Sequence, residues 1–392
     1  MAALDGLRIL DLSQYESGPS CTQALAWLGA DVVKVEQPGI GDPGRAIGGL
    51  DDYFMMWNCN KRSVTLALGT DAGHETLLKM LPHYDVFLEN YGPGVVEKLK
   101  IDYQDLKAVH PEIIYARVKG FGSDGPYSQY KCFDMVAPAA AGAFSVTGEA
   151  DGPPMRSGAT MGDTGTGTQL AMTILAAYVQ RLRTGEGQLI ELSMQEAVTY
   201  YLRTIFSGSA QGQRVVNRMG NGVDPLMTLY PCAPGGANDY VFIMALTPRM
   251  WEMVTKIIGR EELFVDPRFA DPALRIENWD LLYDEISAWT SRHDKHEAMK
   301  MLAEAGVPVS ATMTSADVYN DPHLLARGFI EEIETESGDT FRMPGFPAKM
   351  SKSSVAIEAA STLGVHTQEV ISADLGLSGT EFDALSNSGA FG

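Results

Sequence analysis

Residues 157–168 offer the clearest chemistry in the chain. They are small and almost uncharged, with one carboxylate, Asp163, between Gly162 and Thr164, and further glycines at 158, 165 and 167. Leu170, Ile174, Tyr178 and Leu182 follow four apart, which puts them on one helical face. Asp163 therefore stands where a helix should begin. A carboxylate there meets free backbone N–H groups and the positive end of the helix dipole, which favours its ionised form. Spacing alone leaves two roles open. One is an ordinary helix N-cap. The other is a carboxylate held bare for nucleophilic attack, with glycines clearing room for a bulky substrate.

A parallel sheet is predicted to position this residue. Residues 7–12 and 31–36 read as strands around a helix opened by Ser17-Gly18-Pro19-Ser20, which is a βαβ unit. The turn between them lacks the GxGxxG spacing, so a dinucleotide site is not indicated. Further strands are expected over 64–68, 85–89, 113–118 and 188–193, with helices over 72–81, 95–99, 103–109 and 195–206. The exit loops 39–45, 90–94 and 119–126 carry glycines, amides and aromatics, and they fall at the carboxyl edge of the sheet, where ligands bind. Lys61 and Arg62 form a compact basic spot ahead of the strand 64–68. In an acidic chain they call for a partner, either a phosphate or an internal carboxylate. Later, a strand is expected at 240–245, helices at 250–258 and 296–305, and an edge strand at 341–344.

Composition narrows the function classes. The 392 residues suffice for two domains. Thirty Lys and Arg against fifty Asp and Glu give a formal net charge of −20, which argues against nucleic acid and anionic membranes as partners. Cys21, Cys59, Cys132 and Cys232 form no CxxC, so neither a disulfide framework nor a metal site is indicated. No apolar run of about 18 residues would span a bilayer. The start of the chain has no signal-peptide pattern, so a soluble cytoplasmic protein is expected.

An ordered series of motifs runs along nearly the whole chain. It includes Gly6-Leu7-Arg8-Ile9-Leu10-Asp11, Gly18-Pro19, Gly41-Asp42, Asn60-Lys61-Arg62-Ser63, Asn90-Tyr91-Gly92-Pro93-Gly94, Lys119-Gly120-Phe121-Gly122 and Gly162-Asp163. Arg183-Thr184-Gly185-Glu186-Gly187-Gln188, Gly306-Val307-Pro308, Asp321-Pro322-His323 and Leu363-Gly364-Val365-His366-Thr367 complete it. The series resembles the class III CoA-transferase family, whose best-described members move CoA between formate and oxalate.

The resemblance implies an α/β fold: a Rossmann-like open parallel sheet with a smaller second domain, in a homodimer whose chains interlock like linked rings. Residues 1–206 would form the first part of the large CoA-binding domain. Residues 207–228 would be a connector, 229–315 the small domain, and 316–392 a segment returning to the large domain. Asp163 falls on the family's catalytic aspartate. A CoA thioester would be the substrate, with no metal and no tightly bound cofactor. By position, Gln14, Tyr15 and Glu16 would lie beside the thioester and pantetheine, and Asn90, Tyr91 and Lys98 along the CoA chain. Lys131 would meet the phosphorylated end, with Lys61 and Arg62 adding positive charge near the sheet edge. Asp134 takes a position that is acidic in the oxalate-type enzymes. Gly220 and Gly222 flank a shortened version of their glycine loop.

Three departures bear on substrate. Glu16 stands in place of a glutamine near the reacting carbonyl, where an anion beside Asp163 would either raise a pKa or need its own partner; Phe133 stands in place of a tyrosine, and Ile47 in place of a tryptophan that shapes the small-acid pocket. These differences point to an acceptor larger than oxalate, such as a longer dicarboxylate. Two competing functions remain. Racemisation of 2-methylacyl-CoA, known in the same superfamily, needs a histidine where Phe133 stands. An inactive CoA-binding scaffold would tolerate loss of Asp163.

Overall fold

Apolar runs ending in polar residues build a six-stranded sheet in the computed structural model, which describes residues 2–49, 52–335 and 338–392. The strands are β1 (Arg8–Asp11), β2 (Asp31–Glu36), β3 (Lys61–Thr65), β4 (Val86–Glu89), β5 (Ile114–Lys119) and β6 (Leu189–Ser193). Their order is β3-β2-β1-β4-β5-β6, with every pair parallel. Side chains of β4 are buried along its whole length, and those of β1, β2 and β5 at all but one position, as expected for strands covered on both faces. The winding reverses between β1 and β4. The loops leaving their carboxyl ends diverge there and open a crevice.

Helix α1 (Ser17–Ala26) follows β1, and α2 (Asp52–Asn58) precedes β3. The long helix of residues Thr166–Thr184, α3 here, packs tightly on α1. A Cβ at Gly167 would lie 2.1 Å from Ser20 Oγ and 2.6 Å from the Ser17 carbonyl oxygen, so only glycine permits the approach. This contact fixes the start of α3, and with it Asp163, against the loop between β1 and α1.

Strand β3 begins three residues earlier than the sequence suggests. Lys61 and Arg62 belong to it and pair with Val32 and Val33 of β2. Neighbouring residues of a strand face opposite sides, so the two cations do not form one patch. Lys61 is 3% exposed. Its Nζ lies 3.1 Å from Asp11 Oδ2 and donates to Asn58 Oδ1 and the Pro19 carbonyl. Arg62 pairs with Asp31 at 2.6 Å and Glu369 at 3.4 Å. Of the two partners left open by the sequence, a phosphate or an internal carboxylate, the structure shows the second, and the share of CoA binding expected of these two cations is corrected. Burial and the nearby Lys34 lower the Lys61 ammonium to about 8, against the pull of Asp11. Burial alone would raise Asp11, but Lys61 and Lys34, with hydrogen bonds from Ser13 and Thr22, hold it at about 2. Lys34 in turn pairs with Asp42 at 2.8 Å and donates to the Ser13 carbonyl. This buried network lies beneath the loop after β1 and gives it a fixed floor.

The chain divides into two units. One comprises residues up to 144, 156–214 and 328–392, and the other 145–155 and 215–327. The second holds an antiparallel sheet of β7 (Met227–Pro231), β8 (Tyr240–Met244) and β9 (Val309–Ala311). Tyr230, Val241, Ile243, Trp251 and Ile286 form part of its core. The helix Trp279–Thr290, which lies outside the helices expected at 250–258 and 296–305, contributes Leu282 and Ile286 to this core. In the first unit, β10 (Ile330–Glu334) pairs antiparallel with β11 (Thr340–Pro344). No described helix is long and apolar enough to cross a membrane.

Candidate active site

The crevice at the reversal point holds a cavity of about 500 Å³, whose walls include Gln14, Tyr15, Asn90, Tyr91, Lys131, Phe133 and Asp163. Asn90 acts on the protein's own backbone. Its Oδ1 accepts from the Gln14 N–H at 2.8 Å, and its Nδ2 donates to the Gln14 carbonyl at 2.8 Å and Ser17 Oγ at 3.0 Å. The loops after β1 and β4 are thereby clamped together. Tyr15 sits in the left-handed region at φ 61°, costly for a tyrosine, and its N–H donates to Asp42 Oδ1 at 3.0 Å. Its ring meets Phe133 edge-on at 6.0 Å. Burial raises the Tyr91 phenol to about 12.

The remaining site candidates separate by location. Lys131 is exposed at the cavity wall. Lys98 is exposed on the helix Val95–Leu99, and the cavity wall does not include it. Gly220 and Gly222 belong to the second unit. There the Gly220 N–H donates to the Gly148 carbonyl at 3.0 Å, and a Cβ on Gly222 would meet Thr228 at 2.4 Å.

Asp163 is not a helix N-cap. It lies inside a π-helical turn, Met161–Gly165, that runs directly into α3. The Asp163 N–H donates to Asp134 Oδ1 at 3.0 Å, and the Thr164 N–H to the Thr160 carbonyl at 2.9 Å. Those two N–H groups are spent elsewhere. Burial, then Glu16, then Asp134 push the Asp163 carboxyl up to about 7. The expectation that a helix start keeps it ionised is therefore corrected. A dipole contributes roughly 1 kcal/mol and weakens within one turn, whereas desolvation and two neighbouring anions each oppose the charge.

The flanking glycines also act differently from the expectation. A Cβ on Gly162 would lie 2.4 Å from the Asp134 carbonyl oxygen, and one on Gly165 would lie 2.9 Å from the Tyr201 ring. They permit close packing around Asp163 more than they open space. Gly162→Ala should therefore push Asp134 away from the Asp163 N–H. We expect at least a tenfold fall in kcat/KM with secondary structure retained, checked by steady-state kinetics beside circular dichroism.

Glu16 is 4% exposed. Its Oε1 accepts from Thr164 Oγ1 at 2.6 Å and its Oε2 from the Tyr53 hydroxyl at 3.2 Å. Sequence reasoning missed both partners. Thr164 could have been found from its place beside Asp163. Tyr53 lies in an apolar helix with no local signal. Burial, Glu16 and Asp163 raise its phenol, so it stays a neutral donor. A carboxylate in this setting, at the wall of a cavity large enough for an extended thiol ester, can attack an activated carbonyl.

Residues 4–367 match the profile described as CoA-transferase family III. The chain is 38% identical to a formyl-CoA:oxalate CoA-transferase of Streptomyces coelicolor, over 99% of this chain and 98% of the relative. It is 36% identical to one from Rhodopseudomonas palustris, over 99% and 97%. Among solved structures, a CAIB/BAIF family protein from Brucella suis superposes with a TM-score of 0.86 at 28% identity, covering 95% of this chain and 99% of that one. A Mycobacterium tuberculosis protein gives 0.82 at 28%, covering 94% and 98%.

Proposed function

The chain belongs to CoA-transferase family III, and we propose that it moves CoA from an acyl-CoA donor to a free carboxylic acid with Asp163 as the nucleophile. The observation that carries this reading is Asp163 at the wall of the crevice cavity, held by Asp134 through its backbone and by the Glu16–Thr164 contact beside it. An Asp163 oxygen attacks the acyl carbonyl of the donor. The C–S bond breaks, giving an aspartyl anhydride and CoA thiolate. The thiolate attacks the aspartyl carbonyl, which releases the donor acid and leaves an aspartyl–CoA thioester. The acceptor carboxylate attacks that thioester, whose C–S bond breaks to give a second anhydride and CoA thiolate. Returning thiolate then takes the acceptor's acyl group and frees Asp163. Each step exchanges one activated acyl group for another, so the sequence needs no external energy source. Burial of the site limits attack by water on these intermediates.

Gln14 and Tyr15 would flank the thioester, Asn90 and Tyr91 the CoA chain, and Lys131 the phosphates. Ile47, at the place of a family tryptophan, supports an acceptor larger than oxalate. The test is purified enzyme with a panel of acyl-CoA donors and free acids, read by mass. Transfer to no acid, with only α-hydrogen exchange into deuterated water, would favour the racemase reading instead. Phe133 beside Tyr15, where that chemistry needs a histidine, speaks against it.

A homodimer is part of the same proposal. Helix α3 buries Leu170, Ala171, Ile174 and Ala177, yet Met172 and Leu182 are 65% and 68% exposed, with Val179 exposed between them at helical spacing. An exposed apolar stripe of this kind marks a contact surface, and a second copy of this chain is the proposed cover. Paired Met172→Glu and Val179→Glu substitutions should shift the mass measured by light scattering from dimer toward monomer. A monomeric wild type would refute the assignment.

A further inference from the structure

Three carboxylates meet around the reacting position, and no cation among the described residues joins them. Glu16 is buried, with both oxygens occupied by the Thr164 and Tyr53 hydroxyls. Thr164 is the covalent neighbour of Asp163. On the backbone side, Asp134 Oδ1 holds the Asp163 N–H, and Asp134 Oδ2 is buried without a donor. Burial, Glu16 and Asp134 all act on Asp163 in the same sense, and no lysine or arginine counters them. Lys131 is exposed on the cavity wall, where the transferase reading assigns it to the CoA phosphates, and the buried lysines nearby are committed elsewhere. Lys119, on the cavity wall, bonds Glu89 at 3.0 Å and the Tyr91 carbonyl at 2.7 Å. Lys34 and Lys61 are paired with Asp42 and Asp11.

We propose that Glu16 sets acid specificity, selecting acids whose only ionised group is the carboxylate that reacts and rejecting dicarboxylates. The proposal rests on the transferase reading and takes the place of the longer dicarboxylate expected from sequence. In the aspartyl–CoA thioester, Asp163 has no charge. The incoming acid must bring one carboxylate to that thioester, and so into the field of Glu16 and Asp134. A second carboxylate on a short acid lies only a few ångströms from the first and meets the same two anions. At an effective dielectric of about 20, one extra like-charge contact at this range disfavours binding by roughly a hundredfold. Tyr53 and Thr164 act through Glu16 as positioning residues. They hold its oxygens, and no cation neutralises it.

The test compares acids matched in length, glycolate against oxalate and butyrate against succinate, as acceptors from one acyl-CoA donor. Full-length wild type and Glu16→Gln are both measured. Wild type should favour the monocarboxylate of each pair by tenfold or more in kcat/KM. Glu16→Gln should bring each ratio to within about threefold. It should also move the pH inflection of kcat/KM downward, a shift that a merely structural role of Glu16 would not produce. The wild-type ratios decide the charge preference even if Glu16→Gln folds poorly. Tyr53→Phe, which frees one Glu16 oxygen, then provides a second variant and should change the ratios. A wild type that takes oxalate as well as glycolate overturns this inference and leaves the transferase reading standing. Unchanged ratios in the variants remove Glu16 from specificity. A wild type that transfers CoA to no acid overturns both.

Discussion

Asp163→Ala and Asp163→Asn should each lower CoA transfer by at least roughly a thousandfold. Alanine removes the proposed nucleophile. Asparagine keeps its shape, and its side chain remains a possible neighbour for Glu16 and Thr164, but an amide does not form the anhydride. Neither variant touches the packing that holds the site. That packing rests on Gly167 against α1, on Asn90 across the two loops, and on the Asp11–Lys61–Lys34 network beneath them. Both variants should therefore keep their oligomeric state and bind CoA. The decisive measurement is intact-protein mass after incubation with acyl-CoA and no acceptor, followed by hydroxylamine trapping. Wild type should carry a labile adduct on the peptide containing Asp163, and the variants none. An adduct elsewhere, or wild-type transfer by Asp163→Ala, would end the assignment.

Much of the sheet was legible because its strands are short stretches rich in Val, Ile and Leu between glycine-bearing loops. Residues 31–36 and 113–118 are of this kind. Strand β3 was misplaced because it opens with Lys61-Arg62, and a buried lysine looks like a surface one until its acceptors are known. Strand β10, Ile-Glu-Glu-Ile-Glu, shows too little alternation to be read without its antiparallel partner β11. At the site, Asp163 stood out through local signals, its glycines and the helix that follows. Its charge state did not follow from those local signals, and only the family position of Glu16 hinted at it. The anions that set it lie far off in sequence, Glu16 148 positions from Thr164 and Asp134 29 positions from Asp163. A helix-dipole argument uses only neighbours along the chain, and here the groups brought in by folding outweigh it. The flanking glycines misled for the same reason, since what they pack against is distant in sequence.

That charge state gives the second large effect, on pH. In the proposed mechanism Asp163 attacks as a carboxylate, and burial with Glu16 and Asp134 pushes its pKa in the substrate-free chain up to about 7. The pH profile of kcat/KM reports the free enzyme, so kcat/KM should be flat above about pH 7 and fall tenfold per unit below it. At pH 5 the loss is roughly a hundredfold. Stability should move the opposite way. The folded-state value lies above the ordinary 3.8, so between 3.8 and about 7 the folded chain binds more protons than the unfolded one. Stability therefore falls as pH rises through that window, and the penalty is complete above it. Asp163→Asn removes the penalty. It should stabilise the protein by on the order of 1–3 kcal/mol at pH 8, and by less at pH 5, after allowance for partial solvent access to the carboxylate. Thermal unfolding at both pH values would measure the difference. The same substitution should thus abolish activity and raise Tm, most at alkaline pH. An inflection of kcat/KM near 4, with no Tm gain at pH 8, would return Asp163 to an ordinary carboxylate and remove Glu16 and Asp134 from its control.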